Sequence, residues 1–66
     1  MENVTLVRWY HNDGEIIRQS EPMCEIETSQ ASVDVTAPND GVLRQLAKTG
    51  DVIQPGVDIA RIDPIQ

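Results

Sequence analysis

The 66-residue chain contains one pattern twice, with the second copy 36 residues after the first. Residues 14–27, GEIIRQSEPMCEIE, align without a gap to residues 50–63, GDVIQPGVDIARID. Gly14, Ile17 and Ile26 recur as Gly50, Ile53 and Ile62, while Glu15, Ile16, Met23, Cys24 and Glu27 fall on Asp51, Val52, Ile59, Ala60 and Asp63. Upstream, Leu6, Val7 and Arg8 fall on Val42, Leu43 and Arg44. Chance likeness between short β segments is the plain alternative, but it would match apolar positions alone; here glycines and charges match as well. Two copies are too few to close a solenoid core. Two halves related by a pseudo-two-fold axis, each giving one face of a shared core, is the reading that remains. The same mapping carries Ser29 and Gln30 onto Ile65 and Gln66, so both termini are expected at the pole opposite the 29–30 turn.

Gly and Pro interrupt the chain at short intervals, and no long stretch keeps an apolar period of a helix. Short runs rich in Val, Ile and Thr between turn signals read instead as strands. They fall near residues 4–10, 15–18, 23–28, 31–36, 41–46, 51–54 and 58–63. At Asn39-Asp40-Gly41 the turn chemistry is explicit, because Gly takes positive φ freely and Asn and Asp tolerate it.

The pairing of the central hairpin follows from alternation. Side chains point to opposite faces along a strand, so Cys24, Ile26 and Thr28 share a face that Ala31, Val33 and Val35 can join. Pairing 28 with 31, 26 with 33 and 24 with 35 keeps these residues opposite one another. Ser29-Gln30 is then a two-residue loop, and Glu25, Glu27 and Asp34 form an acidic flank on the outer face.

The net charge of −6 argues against nucleic acid, which asks for a basic patch; Arg8, Arg18, Arg44, Lys48 and Arg61 are scattered. No apolar run reaches the ~20 residues of a membrane span, and the N-terminus lacks the pattern of a secretory signal. A thin aliphatic core is expected, with Ile17, Ile26, Ile53 and Ile62 inside it, since the chain has no Phe, one Trp and one Tyr. Cys24, the one cysteine, fits a reducing, cytoplasmic compartment.

From about Leu6 to Asp63 the chain resembles a lipoyl domain of the biotinyl/lipoyl attachment superfamily. The likeness rests on Trp9 before the Gly14-Glu15 loop, on Cys24-Glu25-Ile26-Glu27-Thr28 leading into the turn, and on Ala31 after it. Ala37-Pro38, Gly41-Val42, Gly50-Asp51-Val52 and Gly56 complete it. The resemblance implies an all-β single domain over residues 1–66. Its form would be a flattened β-barrel, or barrel-sandwich hybrid, of two small antiparallel sheets with quasi-two-fold symmetry. It implies a swinging-arm carrier of a 2-oxo acid dehydrogenase-like or other acyl-transfer multienzyme system. Its partners would be proteins of that complex and a lipoate ligase, and its cofactor would be covalent lipoate.

In the family the turn reads Asp-Lys-Ala and the lysine carries lipoate; biotin carriers have Met-Lys-Met. Here it reads Ser29-Gln30-Ala31, so Ala31 sides with the lipoyl branch while Gln30 stands where the lysine belongs. Ligation needs an amine to attack an acyl-adenylate, and the nitrogen of a glutamine amide is delocalised into its carbonyl. The chain is therefore expected to carry neither lipoate nor biotin at this turn. Lys48, the one lysine, maps to Asn12 and not to the tip. Three readings of Gln30 stay open: a Lys→Gln replacement in a carrier, a native residue in a domain that keeps only docking, or a merely polar hairpin. Glu27 and Thr28 are candidates for recognition by ligase or partner, against the plainer reading of solvated strand residues.

Family members usually have a further strand ahead of the one that bears Trp9. Without it the first sheet is expected to be short or open-edged, and an open edge invites a dimer. Cys24 with His11 makes a poor nucleophile–base pair, since Cys24 faces inward and nothing in the spacing supplies an orienting acid; neither do these two make the four-ligand set of a zinc site. Trp9 is expected in the core rather than at a partner surface. The chain is thus read as a non-catalytic carrier, with a degenerate docking module as the alternative.

Overall fold

The computed structural model describes residues 2–65, none of which is helical. It contains β1 (Val4–Trp9), β2 (Ile16–Ile17), β3 (Pro22–Glu27), β4 (Ser32–Thr36), β5 (Gly41–Gln45), β6 (Val52–Ile53) and β7 (Ala60–Asp63). Each expected strand is present, with its ends displaced by no more than two residues. One sheet has the order β4-β3-β1-β6 and the other β2-β5-β7, with antiparallel pairing throughout. The two small antiparallel sheets agree with the expected barrel-sandwich form, although the sheets do not close on one another.

The sequence repeat is a repeat of pairing. β1, β2 and β3 correspond to β5, β6 and β7, and each half lends its short strand to the other sheet: β6 pairs with β1, and β2 with β5. Leu6 lies opposite Ile26 as Leu43 lies opposite Ile62, and Thr5 faces Val52 as Val42 faces Ile16. The correspondence corrects the gapless upstream alignment by one residue. Leu6 matches Leu43 rather than Val42, because β1 carries a bulge between Leu6 and Arg8 that takes up Val7 as an extra residue. Beyond the bulge Arg8 and Arg44 match as aligned.

The loops repeat too. Gly50 N–H donates to the Leu6 carbonyl at 2.7 Å, and Gly14 N–H to the Leu43 carbonyl at 2.8 Å; Leu6 N–H returns to Asp51 and Leu43 N–H to Glu15. Gly14 and Gly50 hold φ of 88° and 94°, a left-handed conformation that glycine adopts without a Cβ penalty. One residue on, the Glu15 carboxylate accepts the Asn12 N–H, as the Asp51 carboxylate accepts the Lys48 N–H. Gly41 differs from expectation: its φ is not positive. It is needed for space, since a Cβ there would lie 2.3 Å from the Asp63 carbonyl oxygen.

The buried core is Leu6, Ile17, Met23, Cys24, Ala37, Leu43 and Ile53, with Trp9, Val35, Ala60 and Ile62 packed against it in part. Trp9 serves the core, as expected, and its indole N–H reaches the Ala47 carbonyl at 3.2 Å. Ile17 and Ile53 are buried, but Ile26 and Ile62 are only half-buried. Ile62 lies on β7, an edge strand, and Ile26 lies where β3 runs out toward the tip, so neither has cover on every side.

The sheet sizes also differ from expectation. The first sheet, expected to be short, has four strands, whereas β4 has no counterpart among the described residues, so β7 lies at an edge of the three-stranded sheet. The molecule is elongated, 38 × 18 × 17 Å.

Candidate functional site

β3 and β4 form the hairpin that carries the candidate site. Cys24 pairs with Val35 and Ile26 with Val33, and Thr28 N–H donates to the Ala31 carbonyl at 2.8 Å. This is the register that alternation requires, and it leaves Ser29-Gln30 as the loop. Burial fades along the hairpin. Cys24 is fully buried and Val35 reaches the core, whereas Val33 is 47% exposed. Ala31 and Val33 were expected to share the inward face, but here that face has passed beyond the packed interior.

The turn is held by its backbone. Thr28 Oγ1 accepts the N–H groups of Gln30 at 3.2 Å and Ala31 at 3.1 Å, and its hydroxyl donates to the Ala31 carbonyl at 3.0 Å. A Thr hydroxyl bonded to the backbone just ahead replaces ladder bonds the loop cannot make. Glu2 adds a brace: its carboxylate accepts the Ser29 N–H at 3.0 Å and the Ser29 hydroxyl at 2.8 Å. These bonds, the backbone one first, hold the Glu2 carboxyl below its ordinary value. Ser29, Gln30 and Ala31 are all exposed. The structure thus brings Glu27, Thr28, Ser29, Gln30 and Ala31 together on one protruding turn.

Glu2 corrects the expected placement of the N-terminus. β1 runs antiparallel to β3, with Thr5 opposite Glu27, so the chain starts beside the tip rather than away from it. The other half behaves as the repeat requires, with the end of β7 beside the start of β5.

The acidic flank is only partly free. Glu25 and Asp34 are direct cross-strand neighbours, an unfavourable pairing of like charges. Arg8 bridges to Glu25 at 2.9 Å, and the Tyr10 hydroxyl donates to Asp34 at 2.9 Å. That hydrogen bond pushes the Tyr10 phenol upward, and burial adds to it. Glu27 is exposed, with Thr5 and Ser32 as its cross-strand neighbours.

Away from the tip, the Cys24 thiol is buried among apolar side chains, which pushes its pKa up to about 11, with Asp34 adding to the rise. It stays a thiol at neutral pH and behaves as a small hydrophobe. His11 faces Glu15 at 3.8 Å instead. Lys48 lies in the β5–β6 loop. Among the described residues, no three His, Cys, Asp or Glu side chains gather as a metal cage.

Glu2, Arg8 and Tyr10 were not visible as site residues in the sequence. Arg8 and Tyr10 had a signal, being a cation and a hydroxyl on the strand beside three carboxylates. Glu2 lies outside the repeat and had none.

A flat all-β module with pseudo-two-fold pairing and an exposed two-residue turn is the architecture of a prosthetic-group carrier. Residues 1–62 match the biotin/lipoyl family, described as "Biotin-requiring enzyme", and the chain belongs to that family. It is 43% identical over 60 residues to the probable dihydrolipoyllysine-residue succinyltransferase component of the mitochondrial 2-oxoglutarate dehydrogenase complex of Schizosaccharomyces pombe, covering 89% of this chain and 13% of that protein. To the corresponding component of Bacillus subtilis it is 36% identical over 59 residues, covering 88% and 14%. To the lipoamide acyltransferase component of the branched-chain alpha-keto acid dehydrogenase complex of Bos taurus it is 35% identical over 63 residues, covering 89% and 13%. The chain thus spans about one-seventh of the length of these curated relatives.

Proposed function

We propose that this chain is a non-catalytic carrier-type domain of a 2-oxo acid dehydrogenase-like acyl-transfer system, with Gln30 at the position of the attachment residue. The observation that carries this reading is the tip itself. Thr28 and Glu2 hold the backbone on either side of Gln30, while the Gln30 side chain is exposed at the apex. A rigid turn with one free side chain suits a group that must be presented to a ligase and then to successive active sites. As it stands, the Gln30 amide is no nucleophile, so the chain carries no lipoate there. Ser29 and Ala31 flank the attachment position, and Glu27 and Thr28 supply recognition. A cytoplasmic setting is proposed from the single buried thiol of Cys24.

A docking-only role is favoured by a different observation. The flank is braced by Arg8–Glu25 and Tyr10–Asp34, so a defined recognition face exists without any prosthetic group. The test that separates the readings uses the Gln30→Lys chain after lipoylation. A carrier is reductively acylated by the decarboxylating component of a 2-oxo acid dehydrogenase complex. A docking module binds a complex component without gaining an acyl group.

A further inference from the structure

The Gln30 carboxamide is no nucleophile, because its nitrogen lends electrons to its carbonyl. The same carbonyl carbon is an electrophile, with ammonia as its leaving group. An enzyme thiolate reaches such a carbon only where the side chain projects from the fold, and the described glutamines differ in this. Gln45 ends β5, and its side-chain amide donates to the His11 carbonyl at 3.0 Å. Gln19 lies where two loops are clasped together, by its own N–H to the Asp40 carboxylate at 2.7 Å and by the Ser20 N–H to the Ala37 carbonyl at 2.8 Å. Gln54 directly follows β6, and its carbonyl closes a turn by accepting the Val57 N–H at 3.2 Å. Gln30 stands at the apex of a hairpin between the small residues Ser29 and Ala31. Among the described residues only its backbone N–H finds a partner, Thr28.

The surroundings of the apex are acidic. Glu2 is fixed against Ser29, and Glu27 is exposed three residues before Gln30. From Gln19 to Leu43 the chain has no basic residue, and Arg8 on the neighbouring strand is taken by Glu25. Such a field draws cations to the tip.

We propose that the tip is an attachment site of inverted polarity, at which Gln30 supplies the acyl carbon and a small alkyl diamine supplies the nitrogen. This rests on the reading of the tip as a display position. The thiolate of a thiol-dependent acyltransferase attacks Cδ of Gln30. The C–N bond breaks, the nitrogen takes up a proton and leaves as ammonia, and a thioester joins the two proteins. One amine of the diamine then attacks the thioester. The new C–N bond forms, the C–S bond breaks, and the proton lost by the amine returns to the thiolate. The sum is a carboxamide and a primary amine giving a secondary amide and ammonia, with nothing oxidised or reduced. The second ammonium of the diamine gains from the carboxylates of Glu2 and Glu27, which is why a diamine suits the tip better than a monoamine.

Incubation of the folded chain with a transglutaminase and cadaverine, followed by intact-mass analysis and fragmentation, tests it. One cadaverine should be gained and one ammonia lost, with the adduct at residue 30. Gln30→Asn, which draws the carbonyl carbon back by one methylene on an exposed turn, should gain nothing. Glu27→Gln should slow cadaverine relative to pentylamine, which has the same length and one charge fewer, by about 1.5–5-fold, the range of an exposed ion pair. No adduct, an adduct at another glutamine instead, or an adduct that persists in Gln30→Asn would overturn the proposal. Equal slowing of the two amines would overturn the choice of a diamine. Lipoylation of Gln30→Lys is read separately. If it fails while Gln30 takes cadaverine, the carrier reading alone falls; if it succeeds while Gln30 takes none, the inverted attachment alone falls.

Discussion

Glu2 and Ser29 are joined by two hydrogen bonds, at 3.0 Å to the Ser29 N–H and 2.8 Å to its hydroxyl, and this ties the start of the chain to the turn that displays Gln30. These bonds depress the Glu2 carboxyl, so they favour the charged form. A group with a depressed folded pKa contributes order above its unfolded value, and the contribution is lost as pH falls through the folded one. The protection of the Ser29 amide relative to its intrinsic exchange rate should therefore be constant near neutrality and be lost only below the ordinary Glu value of 4.5. Amide exchange and chemical shift of Ser29 read this directly. In Glu2→Gln the acid transition should vanish from Ser29; a transition that persists would place its origin elsewhere.

The matched leucines give a stability test. Leu6 and Leu43 are both fully buried and both clasped by a Gly-acid pair from the other half of the chain. Leu6→Ala and Leu43→Ala should each cost about 2–5 kcal/mol. Ile62→Ala should cost about half as much, because Ile62 is half-buried on an edge strand. Urea unfolding measures all three. Equal losses at Leu43 and Ile62 would mean that the β7 edge is covered.

Ser20 and Gly56 occupy matching places in the two halves, and both are left-handed, with φ of 73° and 86°. A non-glycine residue there is strained. Ser20→Gly should stabilise the fold by about 0.5–1 kcal/mol, and Gly56→Ser should destabilise it by a similar amount. For a domain of this size that is a shift in Tm of roughly 2–8 °C. Opposite signs for the two exchanges are the expected result, and equal signs would break the correspondence between the loops.

Much of this fold was legible because strands write a two-residue period into the sequence. The hairpin register, with Ile26 facing Val33 and Cys24 facing Val35, needed only that period and the turn. What escaped had tertiary causes. The bulge at Val7 inserts a residue with no compositional mark. The partial burial of Ile26 and Ile62 depends on which strands lie at an edge or a tip. The N-terminus was misplaced because the repeat fixes where β7 ends but not where β1 starts; that follows from β1 pairing with β3. Of the site, the turn itself was read from alternation and its role from the resemblance, whereas the brace from Glu2 depends on a contact 27 residues apart.

In the proposed function, Gln30 occupies a display position whose scaffold is intact and whose chemistry is absent. Intact-mass analysis after incubation with lipoate, ATP and a lipoate ligase tests it most directly. The unaltered chain should gain no mass, because a carboxamide nitrogen does not attack the acyl-adenylate. Gln30→Lys should gain one lipoyl group, mapped by fragmentation to residue 30, and should be a poor substrate for a biotin ligase. Lipoylation of the unaltered chain at Lys48, or a folded Gln30→Lys chain that stays unmodified, would contradict the account.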